Sequence, residues 1–471
     1  MAAQKIYTKH DSEVLVSAGL PTSEMNAFYR DYPTKTASFA ADRKTYAAFW
    51  QKSACLLARL PRKARRNARE SHAARLIQSA AIEARIQFLR AHGDAVYDAL
   101  TAKRSRFPRL EQLMVDAARL VPGLAPSPKD IAAEEGLLQR DKDGLEIDQG
   151  HLLSAWLGSE RSGRHLCHAM LLPREEATEL LPDFVKRGRI ELPGASIERR
   201  GKAAFLTYRN PRFLNAEDQT TLDGMESCVD LALLDAKTEI AVLRGGPVEH
   251  LKYAGRRVFG SGINLTHLYH GRIPYLWYQR RDLGYVNKLY RGLAMHNDPP
   301  PDEFGGRTME KPWIAAVESF AIGGHCQVLL AVDYVIAEKT AFMTLPARKE
   351  GIIPGAANMR LPRAVGDRIA RQAIQYERRL ECDSPEGRMI CDEIVEPGTM
   401  DAAIERVVNG LTSSGVVSAA SNRRAFRITQ EPLDAFRNYF MVYAREQAYC
   451  HVSPALISNL ERFWSAEQRK V

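Results

Sequence analysis

Three glycine-bearing segments in the second half of the chain hold residues whose types and spacing suit chemistry on a developing negative charge. They are Phe259-Gly260-Ser261-Gly262-Ile263-Asn264-Leu265, Ala321-Ile322-Gly323-Gly324-His325-Cys326-Gln327, and Leu345-Pro346-Ala347-Arg348-Lys349-Glu350-Gly351-Ile352-Ile353-Pro354-Gly355. In the second, an apolar run ending at Ser319 enters two glycines and then a Val- and Leu-rich stretch that predicts a helix. Glycine lets backbone approach a ligand closely, and a helix start leaves N–H groups unpaired at the positive end of its dipole. One N–H from each of the first two loops would hold a carbonyl oxygen as it becomes an anion; each such donor is worth roughly a hundred- to a thousandfold in rate. An isolated glycine pair reads more simply as a tight strand-to-helix turn. His325 beside Cys326 looks like a ligand pair, but no third ligand stands at suitable spacing, so no metal is expected there.

The elements that must position these loops form an alternating pattern. Lys202–Tyr208, Glu239–Leu243, Trp313–Val317 and Tyr334–Ala337 predict strands, and Leu222, Met225, Val229 and Ala232 predict a helix between the first two. Apolar strands alternating with helices imply βαβ units and a sheet buried on both faces. Upstream, residues 35–185 read as mostly helical. Leu76, Ile77, Ala80, Ala81, Ala84, Phe88 and Leu89 make one apolar stripe within Ala73–Arg90, with Gly93 as a breaker and Pro122–Pro128 as a loop. From about Gly366 the chain returns to helix. The division expected is a helical domain over 1–195, an α/β core over 196–400 and a helical C-terminal region over 401–471.

Composition narrows the class of function without choosing it. The 471 residues are 45% hydrophobic and 26% charged, which suits a globular protein with a real core. No run of 18 apolar residues predicts a membrane span, and Met1–Ser12 has no apolar stretch of the secretory kind. Seven scattered cysteines without a CxxC predict reduced thiols and a cytoplasmic protein. A net charge of +9 suits an anionic partner of any kind. The densest basic cluster, Arg62, Lys63, Arg65, Arg66 and Arg69, lacks interleaved aromatics and reads as a solvated helix face, so neither nucleic acid nor membrane is the expected partner.

In order, Asn210-Pro211-Arg212-Phe213-Leu214-Asn215-Ala216, the two loops and Gly351-Ile352-Ile353-Pro354-Gly355 resemble the crotonase (enoyl-CoA hydratase/isomerase) superfamily over roughly residues 198–400. The resemblance implies an α/β fold with a crotonase-type ββα spiral core, and an acyl-CoA thioester as substrate. It makes the N–H groups of Ile263 and Gly324 the oxyanion donors. Hydratases of this superfamily place glutamates where this chain has Gln327 and Ala347, and neither side chain moves protons as a general acid–base. Water addition is therefore not expected; the chain reads either as a degenerate paralogue or as an enzyme that needs an enolate without paired carboxylates.

Further stretches resemble the family of (3,5-dihydroxyphenyl)acetyl-CoA 1,2-dioxygenases of glycopeptide-antibiotic biosynthesis, from about residue 40 to the end. These are Asp141–Asp148, Cys167–Met170, Gly245–His250, Gly323–Gln327 and Tyr443–Cys450. This resemblance implies a cofactor- and metal-independent dioxygenase, with O2 and a CoA thioester as substrates and a homo-oligomer, trimer or hexamer, whose residues 401–471 assist assembly and cover the site. Gln327 then orients substrate or peroxide, or has simply drifted. Glu217 belongs to the substrate site or is an ordinary carboxylate in the first turn of a helix. Arg280 and Arg281 reach the ring or the CoA, or form surface ion pairs. His250, Lys252 and Tyr253, with Arg256 and Arg257, lie where the CoA nucleotide passes. Ser261, Gly262, Asn264, Ile353, Pro354 and Gly355 line the substrate, while Leu265, Ile352 and Ala347 make an apolar pocket for O2 or simply pack the core. No residue stands out as the base for the α-proton. Two other readings stay open: another crotonase-type reaction (thioester hydrolysis, decarboxylation or isomerisation) and a non-catalytic RNA-binding relative.

Overall fold

A computed structural model of the chain describes residues 9–295 and 308–469; the first eight residues of the polar Met1–Ser12 stretch lie outside them. The chain divides into two compact units, 1–166 with 441–457, and 167–440 with 458–471. Residues 167–195, grouped with the N-terminal helices on sequence grounds, thus belong to the second unit. The reason is pairing: their strands extend the second unit's sheet, and their helix Glu175–Arg187 packs on the helix Leu222–Leu234.

The first unit is helical. Its longest element, Ala68–Leu100, starts at a capping box made by Asn67 and Glu70. The predicted stripe is its buried face, from Ala73 through Ile77 and Ala84 to Leu89. Gly93 does not break this helix. It is buried inside the helix and faces the helix Glu146–Gly158, where a β-carbon would make an ordinary contact with Ala155 Cβ at 3.7 Å. The Pro122–Pro128 loop ends at a second capping box, where Ser127 and Asp130 start the helix Pro128–Glu135. The basic cluster is only partly a solvated face. Lys63–Arg65 is a 3-10 turn, Lys63 Nζ donates to Lys142 O at 2.6 Å, and the buried Arg66 guanidinium pairs with Asp143.

The second unit holds two sheets. Strands β1 (Arg189–Leu192), β2 (Ala195–Arg200), β3 (Ala203–Tyr208), β4 (Ile240–Gly245) and β5 (Trp313–Val317) belong to the larger one, with β7 (Tyr334–Glu338) and β10 (Glu393–Val395). Its order is β1-β2-β3-β4-β5-β7-β10, antiparallel for the first two pairings and parallel thereafter. The smaller sheet runs β6 (Phe320–Ile322), β8 (Phe342–Thr344), β9 (Leu380–Glu381).

Two successive turns of the chain each lay one strand in the large sheet, one in the small sheet, and then a helix. β5 and β6 precede the helix Gly324–Leu329, and β7 and β8 precede Ala347–Glu350. This is the ββα spiral. It also corrects the sequence reading of the second loop, which comes after β6 and not after the long apolar strand β5. The tail is likewise not all helix, because β10 closes the edge of the large sheet.

β4 and β5 are buried along their whole length. Ile240, Val242, Ile314, Ala316 and Ile336 pack against Met400, Ile404 and Val407 of the helix Met400–Thr412. Among the described residues, no helix is long and apolar enough to cross a membrane, and all seven cysteines are free thiols.

A buried ion cluster ties the helix Leu222–Leu234 to the helix Tyr285–Arg291. Lys288 Nζ lies 2.7 Å from Asp230 Oδ1 and 2.8 Å from Glu226 Oε1, and all three side chains are fully buried. Removing one member leaves uncompensated charge in a low-dielectric interior. Lys288→Met is expected to lower folding stability by about 3–5 kcal/mol in chemical denaturation, a larger loss than its neutral shape suggests.

Candidate active site

The chain segment 259–264 threads between two others. Gly260 bridges to Ala321, with Ile322 N–H donating to Gly260 O at 3.0 Å, while Glu217 bridges to Ile263. Glu217 N–H donates to Gly262 O at 2.7 Å and Asn264 N–H to Glu217 O at 2.8 Å. In such a parallel bridge the middle residue's own N–H points away from its partner strand. The Ile263 N–H therefore faces the second loop. No hydrogen-bond partner is found for it, or for the Gly324 N–H, among the described residues.

The second loop meets the first at its glycines. Gly323 has φ +55 and ψ −118, a conformation that a side chain makes costly, and its N–H donates to Thr344 O at 2.9 Å. A β-carbon on Gly262 would come within 3.3 Å of Gly324 N, which brings the two unpaired N–H groups to one place. On Gly324 a β-carbon would lie 2.5 Å from Glu217 Oε2 and 3.0 Å from Arg281 Nη2. Only glycine leaves room for that pair behind the loop.

Arg281 is the hub of the site. It is 2% exposed, and Nε donates to Glu217 Oε2 at 2.9 Å. Nη1 donates to Asp282 Oδ1 at 2.8 Å and to Gln327 Oε1 at 3.0 Å, and Nη2 to Gly324 O at 2.7 Å. Tyr285 OH donates to the other oxygen of Glu217. Burial pushes the Glu217 carboxyl up, but the Arg281 guanidinium, with Tyr285's hydrogen bond, outweighs it and holds the group below the usual carboxylate range. Because Arg281 takes the oxygen of Gln327, the NH2 end of the amide is left as a donor.

His325 is fully buried beneath the first loop. Its Nδ1 accepts the Gly262 N–H at 3.1 Å, and burial pushes its pKa down to about 4, so it is a neutral imidazole with the proton on Nε2. The ring lies under Gly260 and edge-on to Tyr208, with centroids 4.6 Å apart. It buttresses the first loop. Among the described residues no group of three His, Cys, Asp or Glu side chains is placed to hold a metal ion.

The other predicted residues fall into three sets. Asn264 caps the helix Leu265–Tyr269 through its Oδ1 and donates Nδ2 to Asp218 at 2.9 Å, and Ser261 Oγ donates to Phe213 O at 3.1 Å. Both hold loop shape, and Leu265 opens that helix half-buried. Gly355 lies directly on the Asp282 carboxylate, which joins the Gly351–Gly355 turn to Arg281. In that turn Ile352 and Ile353 are half-buried, Pro354 is buried, and Ile352 N–H donates to Ala347 O at 3.2 Å. Tyr253 stacks edge-on to Phe320 at 5.2 Å, while His250 and Lys252 stay exposed and are not joined to Ile263 or Gly324. Two readings are corrected. Arg281 is buried, so a surface ion pair does not describe it, and the mostly buried Arg280 side chain pairs with Asp223 at 2.5 Å. Glu217 precedes the helix at Leu222 by five residues and is no first-turn carboxylate.

Tyr285, Asp282 and Glu350 were not singled out from sequence. Tyr285 and Arg281 are four apart across the break at Gly284, a spacing that a search for partners of Arg281 would have tested. Glu350 is 4% exposed, and its Oε1 would stand 3.8 Å from a β-carbon on Gly323. Its signal is a carboxylate within three residues of Ala347, where acid–base chemistry is absent.

With this geometry in hand, similarity to known proteins is informative. A family model described as enoyl-CoA hydratase/isomerase matches residues 306–429. The chain is 43% identical to the (3,5-dihydroxyphenyl)acetyl-CoA 1,2-dioxygenase of Amycolatopsis orientalis over 89% of this chain and 95% of that protein. It is 27% identical to the short-chain-enoyl-CoA hydratase of Clostridium acetobutylicum over 50% of this chain and 82% of that one. A crystal structure of carnitinyl-CoA hydratase from Mycobacterium avium aligns with 60% of this chain and 99% of its own, at 20% identity and a TM-score of 0.48.

Glu350 makes a measurable demand on stability. Burial, with the nearby Glu377 carboxylate, pushes its pKa from 4.5 up to about 7. Stability is then intact below the unfolded value and falls as pH rises toward the folded one. Glu350→Gln is expected to match the parent at pH 4.5 and to exceed it at pH 8 by on the order of 2–3 kcal/mol, read from denaturation midpoints at the two pH values.

Proposed function

The chain belongs to the enoyl-CoA hydratase/isomerase family, and we propose that within it this protein is a dioxygenase converting (3,5-dihydroxyphenyl)acetyl-CoA and O2 to 3,5-dihydroxyphenylglyoxylate and CoA. The observation that carries the reading is 43% identity over 95% of the length of a dioxygenase with that substrate. The site supports it. Two N–H donors without partners suit an enolate oxygen, while the amide of Gln327 and the methyl of Ala347 leave no carboxylate pair for adding water.

In this reading the thioester oxygen lies between the N–H groups of Ile263 and Gly324, which lowers the cost of removing an α-proton. The enolate of an arylacetyl thioester is spread over the carbonyl and an electron-rich ring, and it reduces O2 by one electron. Recombination places a peroxide on the α-carbon. The distal oxygen attacks the thioester carbonyl and expels CoA thiolate; loss of the second α-proton with O–O cleavage leaves the keto acid. Both oxygen atoms enter the product, one in the ketone and one in the carboxylate, and no metal or organic cofactor takes part. Gln327 donates its NH2 to substrate or peroxide, and Leu265, Ile352 and Ala347 line the space for O2. Glu217 and Arg281 hold the second loop from behind. His250, Lys252 and Tyr253 meet the CoA, with Arg256 and Arg257 close by its phosphates. The protein works in the cytoplasm as a homo-oligomer, trimer or hexamer, a setting in which seven free thiols persist.

An oxygen electrode with EDTA-treated protein and 3,5-dihydroxyphenylacetyl-CoA tests the reading. O2 uptake is expected to equal CoA release one for one, and label from 18O2 to enter both product positions. CoA release without O2 uptake would make the protein a thioesterase instead. Gln327→Glu places a second carboxylate beside the enolate and is expected to lower kcat by roughly 10- to 100-fold, with the fold unchanged by circular dichroism.

A further inference from the structure

The helix Ala347–Glu350 ends in a carboxylate that is buried, charged in part at neutral pH, and without a hydrogen-bond donor among the described residues. Buried carboxylates ordinarily find donors. Glu217, a few residues before its own helix, shows the usual solution, with Arg281 and Tyr285 both donating to it. Glu350 has no such arrangement.

Gly323 shows where it faces. A β-carbon built there would have two heavy atoms within 4 Å, Gly262 Cα at 3.5 Å and Glu350 Oε1 at 3.8 Å. The space in front of Gly323 is thus bounded by the first oxyanion loop on one side and by this carboxylate on the other. The Ile263 and Gly324 N–H groups adjoin the same two glycines. A bare carboxylate beside two bare N–H donors suits a ligand that brings both an acceptor oxygen and an acidic hydrogen.

From this juxtaposition we propose that Glu350 is the general base that takes the α-proton of the bound arylacetyl thioester. The proposal rests on the acyl-CoA reading above. In the step, the α-C–H bond breaks and its proton passes to a Glu350 oxygen. The electron pair becomes the C=C bond of the enolate, while the carbonyl π pair moves to the oxygen held by Ile263 and Gly324. Nothing is oxidised until O2 enters. Glu350, now neutral, returns the proton to the departing CoA thiolate and is a carboxylate again.

The other candidates fit the task less well. Glu217 has donors on both oxygens, Gln327 is an amide, and the Nδ1 of His325 accepts a backbone N–H. Burial and Glu377, which itself pairs with Arg348 at 3.0 Å and Lys349 at 2.5 Å, bring Glu350 close to the pKa that favours a base at neutral pH.

Deuterium exchange separates this step from the chemistry of oxygen. The full-length protein is incubated anaerobically in D2O with 3,5-dihydroxyphenylacetyl-CoA, label at the α-carbon is read by mass spectrometry, and the uncatalysed rate is subtracted. Binding is measured in parallel by equilibrium dialysis. The parent protein is expected to exchange. Glu350→Gln is expected to bind within a few-fold of the parent and to lose exchange by about 100-fold or more. Glu350→Asp, which keeps the carboxylate one methylene back, is expected to retain an intermediate rate, and it serves as the test if the amide variant does not fold. Exchange at the parent rate in either folded variant, or a loss that only tracks weaker binding, would overturn Glu350 as the base and leave the dioxygenase reading standing. A parent protein that neither exchanges the α-proton nor takes up O2 would overturn both.

Discussion

One buried guanidinium organises the site. Arg281 donates to the carboxylates of Glu217 and Asp282, the amide of Gln327 and the carbonyl of Gly324, four groups from three separate parts of the chain. A cation removed from water is costly unless opposing charge and hydrogen bonds surround it. That requirement works in reverse as a constraint, because whatever surrounds Arg281 must stay where it is. The first loop is tied through Glu217, the second through Gly324 and Gln327, and the Gly351–Gly355 turn through Asp282. Arg281 is itself held by helix packing that the Lys288, Glu226 and Asp230 cluster secures.

The spiral of strands supplies the other half of the arrangement. Because the β5–β6 and β7–β8 turns each place their second strand in the small sheet, the loops that follow them emerge side by side. Gly260 pairs with Ala321 of β6, and β6 pairs with β8. The two N–H donors are thus neighbours by backbone pairing, with no side chain needed to aim them. The glycines do something more specific than permit a turn: at Gly324 the absent methyl is what admits Glu217 and Arg281 behind the loop.

This arrangement separates holding from proton transfer. Glu217 is locked by its donors, Gln327 has its oxygen taken by Arg281 and keeps only an NH2 donor, and His325 is kept neutral by burial, so none of the three is placed to take a proton. The carboxylate that remains uncommitted stands on the third loop. A scaffold without the paired acid–base carboxylates of hydratases can still keep two neighbouring N–H donors, since these are backbone.

Much was legible in the sequence by itself. The order of four short motifs, the four long apolar strands, the helical stripe of Ala68–Leu100 and the replacement of two glutamates by Gln327 and Ala347 come from local spacing and residue type. These carry the resemblance to the family. Local spacing says little about which charge is buried. Arg280 and Arg281 are adjacent, yet only Arg281 lies within reach of Glu217, 64 residues away in sequence. In the same way, only the tertiary structure shows that the helix runs on through Gly93 instead of ending there, that β5 and β6 belong to different sheets, and that Glu350 faces Gly323. Helix and strand periodicity report contacts a few residues apart, whereas burial, pKa and the meeting of loops are set by contacts across tens of residues, which only the tertiary structure decides.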